Sequence, residues 1–162
     1  MELEFVKYCE KNNIEYRILD KEEEETIRKN IAEKYIDKNK KYEISTSDML
    51  KSEIGTRIGH IDGSWKWIRR YIENKEIVFF FDYKKSRYIK LYDGAMFAQF
   101  YYDFTYRHFM AYKKEFYITN ENTDFLIVYD HLMNLLTYGE AEKWLKSTIL
   151  YQYWIEDCKK KS

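Results

Sequence analysis

Asp130 and His131 stand side by side where an apolar run, Phe125 to Tyr129, ends. A carboxylate beside an imidazole is the smallest unit of general-base chemistry, because the carboxylate can orient a ring that exchanges a proton near neutral pH. A strand end would hold such a pair rigidly while exposing it. Adjacent strand residues face opposite ways, however, so the two cooperate only if the chain turns between them. Otherwise the pair is a polar break that ends the strand. With a carboxylate such as Asp62 or Asp124, Asp130 and His131 define one reading, a small hydrolase or nuclease. No motif adds a nucleophile, since GxSxG, P-loop, GxGxxG and HExxH patterns are all missing from the sequence. The three histidines, His60, His108 and His131, lack the close spacing of zinc ligands, and no metal or cofactor is expected. Cys9 and Cys158 lie near opposite ends without a CxxC pattern, which leaves open whether they are free or paired.

Recognition is the second chemistry that the residue types allow. Trp65-Lys66-Trp67-Ile68-Arg69-Arg70-Tyr71 and Tyr83-Lys84-Lys85-Ser86-Arg87-Tyr88 interleave cations with aromatics. Stacking plus phosphate contact is how single-stranded nucleic acid is held, through Arg69, Arg70, Lys84 and Lys85 in that reading. The same residues also satisfy an amphipathic helix and a hairpin turn. Tyr, Trp and Arg are equally the anchors that protein interfaces favour. The chain carries 28 basic and 28 acidic side chains. Such a balance provides no overall field for DNA or an anionic membrane, so neither is an expected partner.

The elements that must position these residues follow from periodicity and turn chemistry. Glu2 to Lys11 reads as a helix with Leu3, Val6 and Phe5 on one side, stopped by Asn12-Asn13, and Ile14 to Ile18 alternates as a strand. Asp20 with Glu23 has capping-box spacing, and Ile27, Ile31 and Tyr35 recur every four residues, so a helix is predicted over 21–37. The acidic run Glu22 to Glu25 reads as its solvated first turn. Three of the five glycines fall at Gly55, Gly59 and Gly63, marking 42–63 as a flexible connection. Ser64 caps a helix holding Trp65, Ile68 and Ile72, with Trp67 and Tyr71 on an adjoining face. Glu76 to Asp82 and Arg87 to Tyr92 form a strand pair, and Asp93 caps a helix with Met96, Phe97, Phe100, Tyr101 and Phe104 on one face. Strands follow around Phe116 and Phe125, separated by the turn residues Asn120 to Asp124, with a third over Leu132 to Thr137. After Gly139 a final helix places Ala141, Trp144, Leu145, Thr148, Ile149 and Gln152 on one face.

The predicted fold is therefore α+β, a mostly antiparallel sheet of four to six strands covered by helices. A chain of 162 residues fits one domain, with a helical N-terminal segment over 1–45 and a sheet-plus-helix core over 64–158. The 17 Tyr, 10 Phe and 4 Trp dominate the core material, and many of the tyrosines are expected at its boundary, ring inward and hydroxyl in water. With no long apolar run and no secretory leader pattern at Met1, the chain reads as cytoplasmic and without a membrane partner.

The C-terminal half resembles small bacterial proteins related to the immunity proteins of toxin systems. The resemblance is carried by Phe116-Tyr117-Ile118-Thr119-Asn120, by Asp124-Phe125-Leu126-Ile127-Val128, and by Gly139, Ala141 and Trp144-Leu145. It spans Ser64 to Leu145. Such proteins often carry an Asn-His-rich segment after the second strand, whereas this chain has Tyr129-Asp130-His131-Leu132. The resemblance implies a small protein that binds and neutralises a protein partner, a toxin or defence protein, without a cofactor. The expected contact surface is Trp65, Trp67, Arg70 and Tyr71 with the Asp130-His131 edge.

Overall fold

A computed structural model describes residues 1–40, 46–59, 64–107 and 115–161. Seven antiparallel strands form one open sheet, accompanied by six helices among the described residues. The strands are β1 (Tyr16–Ile18), β2 (Gly55–Ile58), β3 (Ile77–Phe80), β4 (Ile89–Leu91), β5 (Phe116–Thr119), β6 (Phe125–Tyr129) and β7 (Leu135–Gly139). Their spatial order is β1-β4-β3-β5-β6-β7-β2. The helices are α1 (Glu2–Asn12), α2 (Lys21–Tyr35), α3 (Arg69–Ile72), α4 (Ala95–Arg107), α5 (Glu140–Ser147) and α6 (Ile149–Lys161). The expected α+β sheet covered by helices is what the chain forms, with β2 as an added strand at one edge.

β2 falls inside the glycine-bearing segment expected to be a flexible connection. Gly55 lies opposite Tyr138 of β7, and a Cβ there would stand 2.2 Å from the tyrosine ring. The glycine thus serves the close approach of a ring, and the strand continues through it.

Because strand side chains alternate, the central strands split two apolar cores between the faces of the sheet. Phe79, Phe116, Ile118, Phe125, Ile127, Tyr129 and Leu135 face one way, under α1, α3, α4 and α5. Val78, Phe80, Tyr88, Tyr117, Leu126, Val128, Leu136 and Tyr138 face the other, under α2. β3, β5 and β6 are buried along their whole length, as strands covered on both sides should be.

Asp20 starts α2 with the predicted reciprocal cap: its side chain accepts from the Glu23 N–H at 2.9 Å, while the Glu23 carboxylate accepts from the Asp20 N–H at 2.9 Å. The first turn of α2 is not wholly solvated. Glu24 is buried and accepts from Arg87 Nε at 2.7 Å and from the Tyr88 N–H at 3.2 Å. On α1, Phe5 and Cys9 enter the core, while Leu3 points outward at 64% exposure.

The predicted single helix after Gly139 is two. Thr148 adopts an extended backbone between α5 and α6. Its hydroxyl donates to the Leu145 carbonyl at 2.7 Å and accepts from the Tyr151 N–H at 3.2 Å, closing one helix and capping the next. Ile149 and Gln152 consequently leave the face of Ala141 and Leu145 and are exposed.

Candidate functional site

Asp130 ends β6 and begins the tight turn into β7. The Met133 N–H donates to the Asp130 carbonyl at 3.0 Å, and Met133 itself has a φ of 63°. The Asp130 side chain is only 1% exposed as a residue and is committed within the turn. Its Oδ1 accepts from the Leu132 N–H at 2.9 Å, the Asn134 N–H at 2.8 Å and Asn134 Nδ2 at 3.1 Å. Its Oδ2 accepts from Asn134 Nδ2 at 2.8 Å and pairs with Arg57 at 3.2 Å. A carboxylate saturated in this way is a turn-former.

His131 takes a different neighbour. Its Nδ1 lies 3.5 Å from Glu115 Oε2, close enough for an ion pair when the ring is charged but without hydrogen-bond alignment. Sequence reasoning passed over Glu115. The register that pairs Phe116 with Tyr129 carries it to the end of β6. The Glu115 carboxylate accepts from the Tyr117 hydroxyl and, at 3.4 Å, from Ser47 Oγ. Ser47 and His131 therefore both address the carboxylate. A serine relay requires the histidine in the middle, between hydroxyl and acid, and that order is not met. Asp124 stands at the far end of β6, about 20 Å from Asp130 over six strand steps, and its carboxylate accepts from Asn120 Nδ2 at 2.9 Å. Asp62, His60 and His108 lie outside the described residues. Among the described residues no three His, Cys, Asp or Glu side chains converge as metal ligands would.

Beside this turn, a cleft of about 350 Å³ separates the segment around Ser47 to Ser52 from β2 and β7. Lys40, Ser47, Asp48, Thr56, Arg57 and Tyr138 are among its walls. His131 is not part of that lining.

The first aromatic-basic cluster folds as a 3-10 turn, Ser64–Ile68, running into α3. Trp65 is buried edge-on against Tyr101 at 4.9 Å, and Tyr71 edge-on against Phe125 at 5.2 Å. These two residues of the expected contact surface are core. Tyr71 also carries Lys75 3.5 Å above its ring centre, a cation–π contact absent from the sequence reading. Burial pushes the Tyr71 hydroxyl up and the Lys75 ammonium down. Trp67 is half-buried against the core, while Lys66, Arg69 and Arg70 are exposed. A groove of about 220 Å³ runs between this turn and α4, lined by Trp65, Lys66, Arg69, Ala98, Gln99 and Tyr102.

The second cluster offers no stacking face. Tyr83 and Tyr88 are buried, Arg87 is paired with Glu24, and the Lys84 and Lys85 N–H groups donate to Asp82 Oδ1 at 2.8 and 2.9 Å. Cys158 is exposed on α6, whereas Cys9 is buried in the core and its thiol is pushed up to about 12 by burial.

Among the described residues no helix is long and apolar enough to cross a membrane. No protein family, curated protein or solved structure matches the chain.

Proposed function

We propose that this chain is a binding protein that neutralises a protein partner by covering it, as an immunity protein or a phage-type inhibitor of a bacterial toxin or defence protein would. The observation that carries this reading is α6. None of its described side chains is buried, and Ile149, Leu150 and Tyr153 stand 65%, 42% and 61% exposed within five residues. Ile149 and Tyr153 are four apart and Leu150 sits beside them, so the three make one patch. Single exposed apolar residues are ordinary, but a contiguous patch marks a place where another surface docks. Tyr151 and Trp154 turn partly inward to the core, and Ile155 is half-buried. α6 follows α5, and Trp144 of α5 meets Tyr71 of α3 at 5.2 Å, so α5 bridges the helix that bears the patch and α3. The engagement of Asp130 inside its own turn supports the same reading against catalysis at the Asp130-His131 edge.

The test is native mass spectrometry of tagged protein recovered from host lysate, run beside the Ile149→Asp/Tyr153→Asp double variant. The expected result is a stoichiometric protein partner with the unaltered chain and none with the variant, whose circular dichroism should be unchanged. A chain that carries a small molecule or metal instead, or a partner retained by the variant, overturns the proposal.

A further inference from the structure

Lys66, Arg69 and Arg70 lie within five residues, spaced so that all three share one side of the turn leading into α3. All three are exposed, and none has a carboxylate within 4.0 Å among the described residues. Elsewhere, cations that sit against the sheet are answered: Arg17 meets Glu23 and Glu121, Arg57 meets Asp130, Arg87 meets Glu24, and Lys90 meets Glu76 and Glu121. Glu73, three residues after Arg70, pairs with neither arginine, and Asp62, four residues before Lys66, lies outside the described residues. Asp103 on α4 accepts from Gln99 at 3.1 Å and from the Tyr8 hydroxyl at 3.5 Å. In a chain of zero net charge, three unanswered cations on one turn form a local positive patch.

The patch borders a groove with aromatic walls. Lys66 Nζ stands 5.7 Å from the Trp65 ring centre and 5.6 Å from that of Tyr102, which is itself 45% exposed. The ammonium is thus held over two rings at the rim, with Arg69 beside it in the groove lining. At about 220 Å³ the space is smaller than the roughly 300–1,000 Å³ of clefts that enclose whole small molecules. It suits one or two side chains of a docking polypeptide.

We infer that the groove between the Ser64–Ile68 turn and α4 receives an acidic segment of a protein partner, with carboxylates facing Lys66, Arg69 and Arg70. This rests on the protein-binding reading proposed above and names the partner's chemistry. Single-stranded nucleic acid is the competing anion, but it needs a track of roughly 4–16 nucleotides with successive stacking rings. Here the three cations sit on a single turn, and the second aromatic-basic cluster turns its rings inward, so no such track exists among the described residues.

The inference is tested by nuclear magnetic resonance titration of the full chain with three probes: a blocked pentaglutamate, a blocked pentaglutamine and the oligonucleotide dT5. Pentaglutamate should shift the Trp65 indole and the Gln99 amide saturably. The affinity should fall as salt is raised. Lys66→Glu/Arg69→Glu should weaken it about tenfold or more, with an unchanged spectrum elsewhere. Equal shifts with pentaglutamine, tighter binding of dT5, no saturable shift, or shifts produced by raising the protein's own concentration would each overturn the acidic-segment inference. Partner capture separates the two proposals. Loss on the α6 substitutions but retention with Lys66→Glu/Arg69→Glu would remove only the groove, whereas failure to capture any partner would remove the binding reading itself.

Discussion

Asp130 and His131 share a position in the chain but belong to different local economies of charge. The Asp130 carboxylate accepts from two backbone N–H groups, from the Asn134 amide and from Arg57, all but the last within its own turn. Removing it strands buried donors, and hydrogen bonds to a charged acceptor are worth about 1.5–3 kcal/mol each. Some of that loss is recovered by water at the exposed Arg57. Asp130→Ala is therefore expected to lower unfolding stability by about 2–3 kcal/mol in urea titration. His131 Nδ1 has no hydrogen bond, so His131→Ala should stay within about 0.5 kcal/mol of the parent. Equal losses at the two positions would mean that the histidine, not the turn, organises this end of the sheet. The pair was legible in the sequence as a polar break after an apolar run. Its partners were not, because Arg57 is 73 residues away in the chain and Glu115 arrives only through strand register.

At the scale of elements, the sharpest constraint is where β7 hands over to α5. Gly139 pairs with Phe125 and has a φ of 63° with ψ −130°, a region that side chains avoid. A Cβ at Gly139 would stand 2.2 Å from the Asp124 carbonyl oxygen, the same atom that accepts from the Glu140 N–H at 3.1 Å. Gly139→Ala must then either break that backbone bond or shift the hairpin, and a loss of about 3 kcal/mol or more is expected by thermal or urea unfolding. A neutral substitution would show that α5 can start elsewhere. Local signals of this kind made much of the fold readable: the Asp20 cap, the Asn120–Asp124 turn and the alternation of β1 and β4 all lie within a few residues of their cause. β2 was hidden because its glycine answers to Tyr138, across the sheet. The break at Thr148 was hidden because the apolar spacing runs on past it, while one hydroxyl decides the matter by capping both helices.

At the scale of the whole molecule, tyrosine forms much of the core. Tyr88, just ahead of β4, stacks on Phe80 of β3, which stacks in turn on Tyr117 of β5, with ring centres 3.9 and 5.0 Å apart and planes within 5° and 7° of parallel. Tyr88, Tyr101, Tyr117 and Tyr129 are fully buried, whereas Tyr92, Tyr102 and Tyr153 stay exposed, so only part of the tyrosine sits outside the core interior. Several hydroxyls are satisfied by backbone carbonyls: Tyr35 donates to Thr123 at 2.8 Å, Tyr83 to Arg28 at 2.7 Å and Tyr88 to Tyr83 at 3.0 Å. Such a core favours the neutral phenol. Burial pushes Tyr35 and Tyr83 up to about 12, and it raises Tyr71, Tyr88, Tyr101 and Tyr138 further. The unfolded phenol ionises near 10. Between the two values the folded chain binds more protons than the unfolded one, so stability falls as pH rises. The contribution is complete below about pH 10 and is lost as pH climbs through about 12 and beyond. Alkaline titration followed by tyrosinate absorbance and circular dichroism should show the buried tyrosines ionising together with loss of the fold. Full tyrosinate absorbance near pH 10, with circular dichroism intact, would show that water reaches the aromatic core and that its packing does not hold the sheet and helices together.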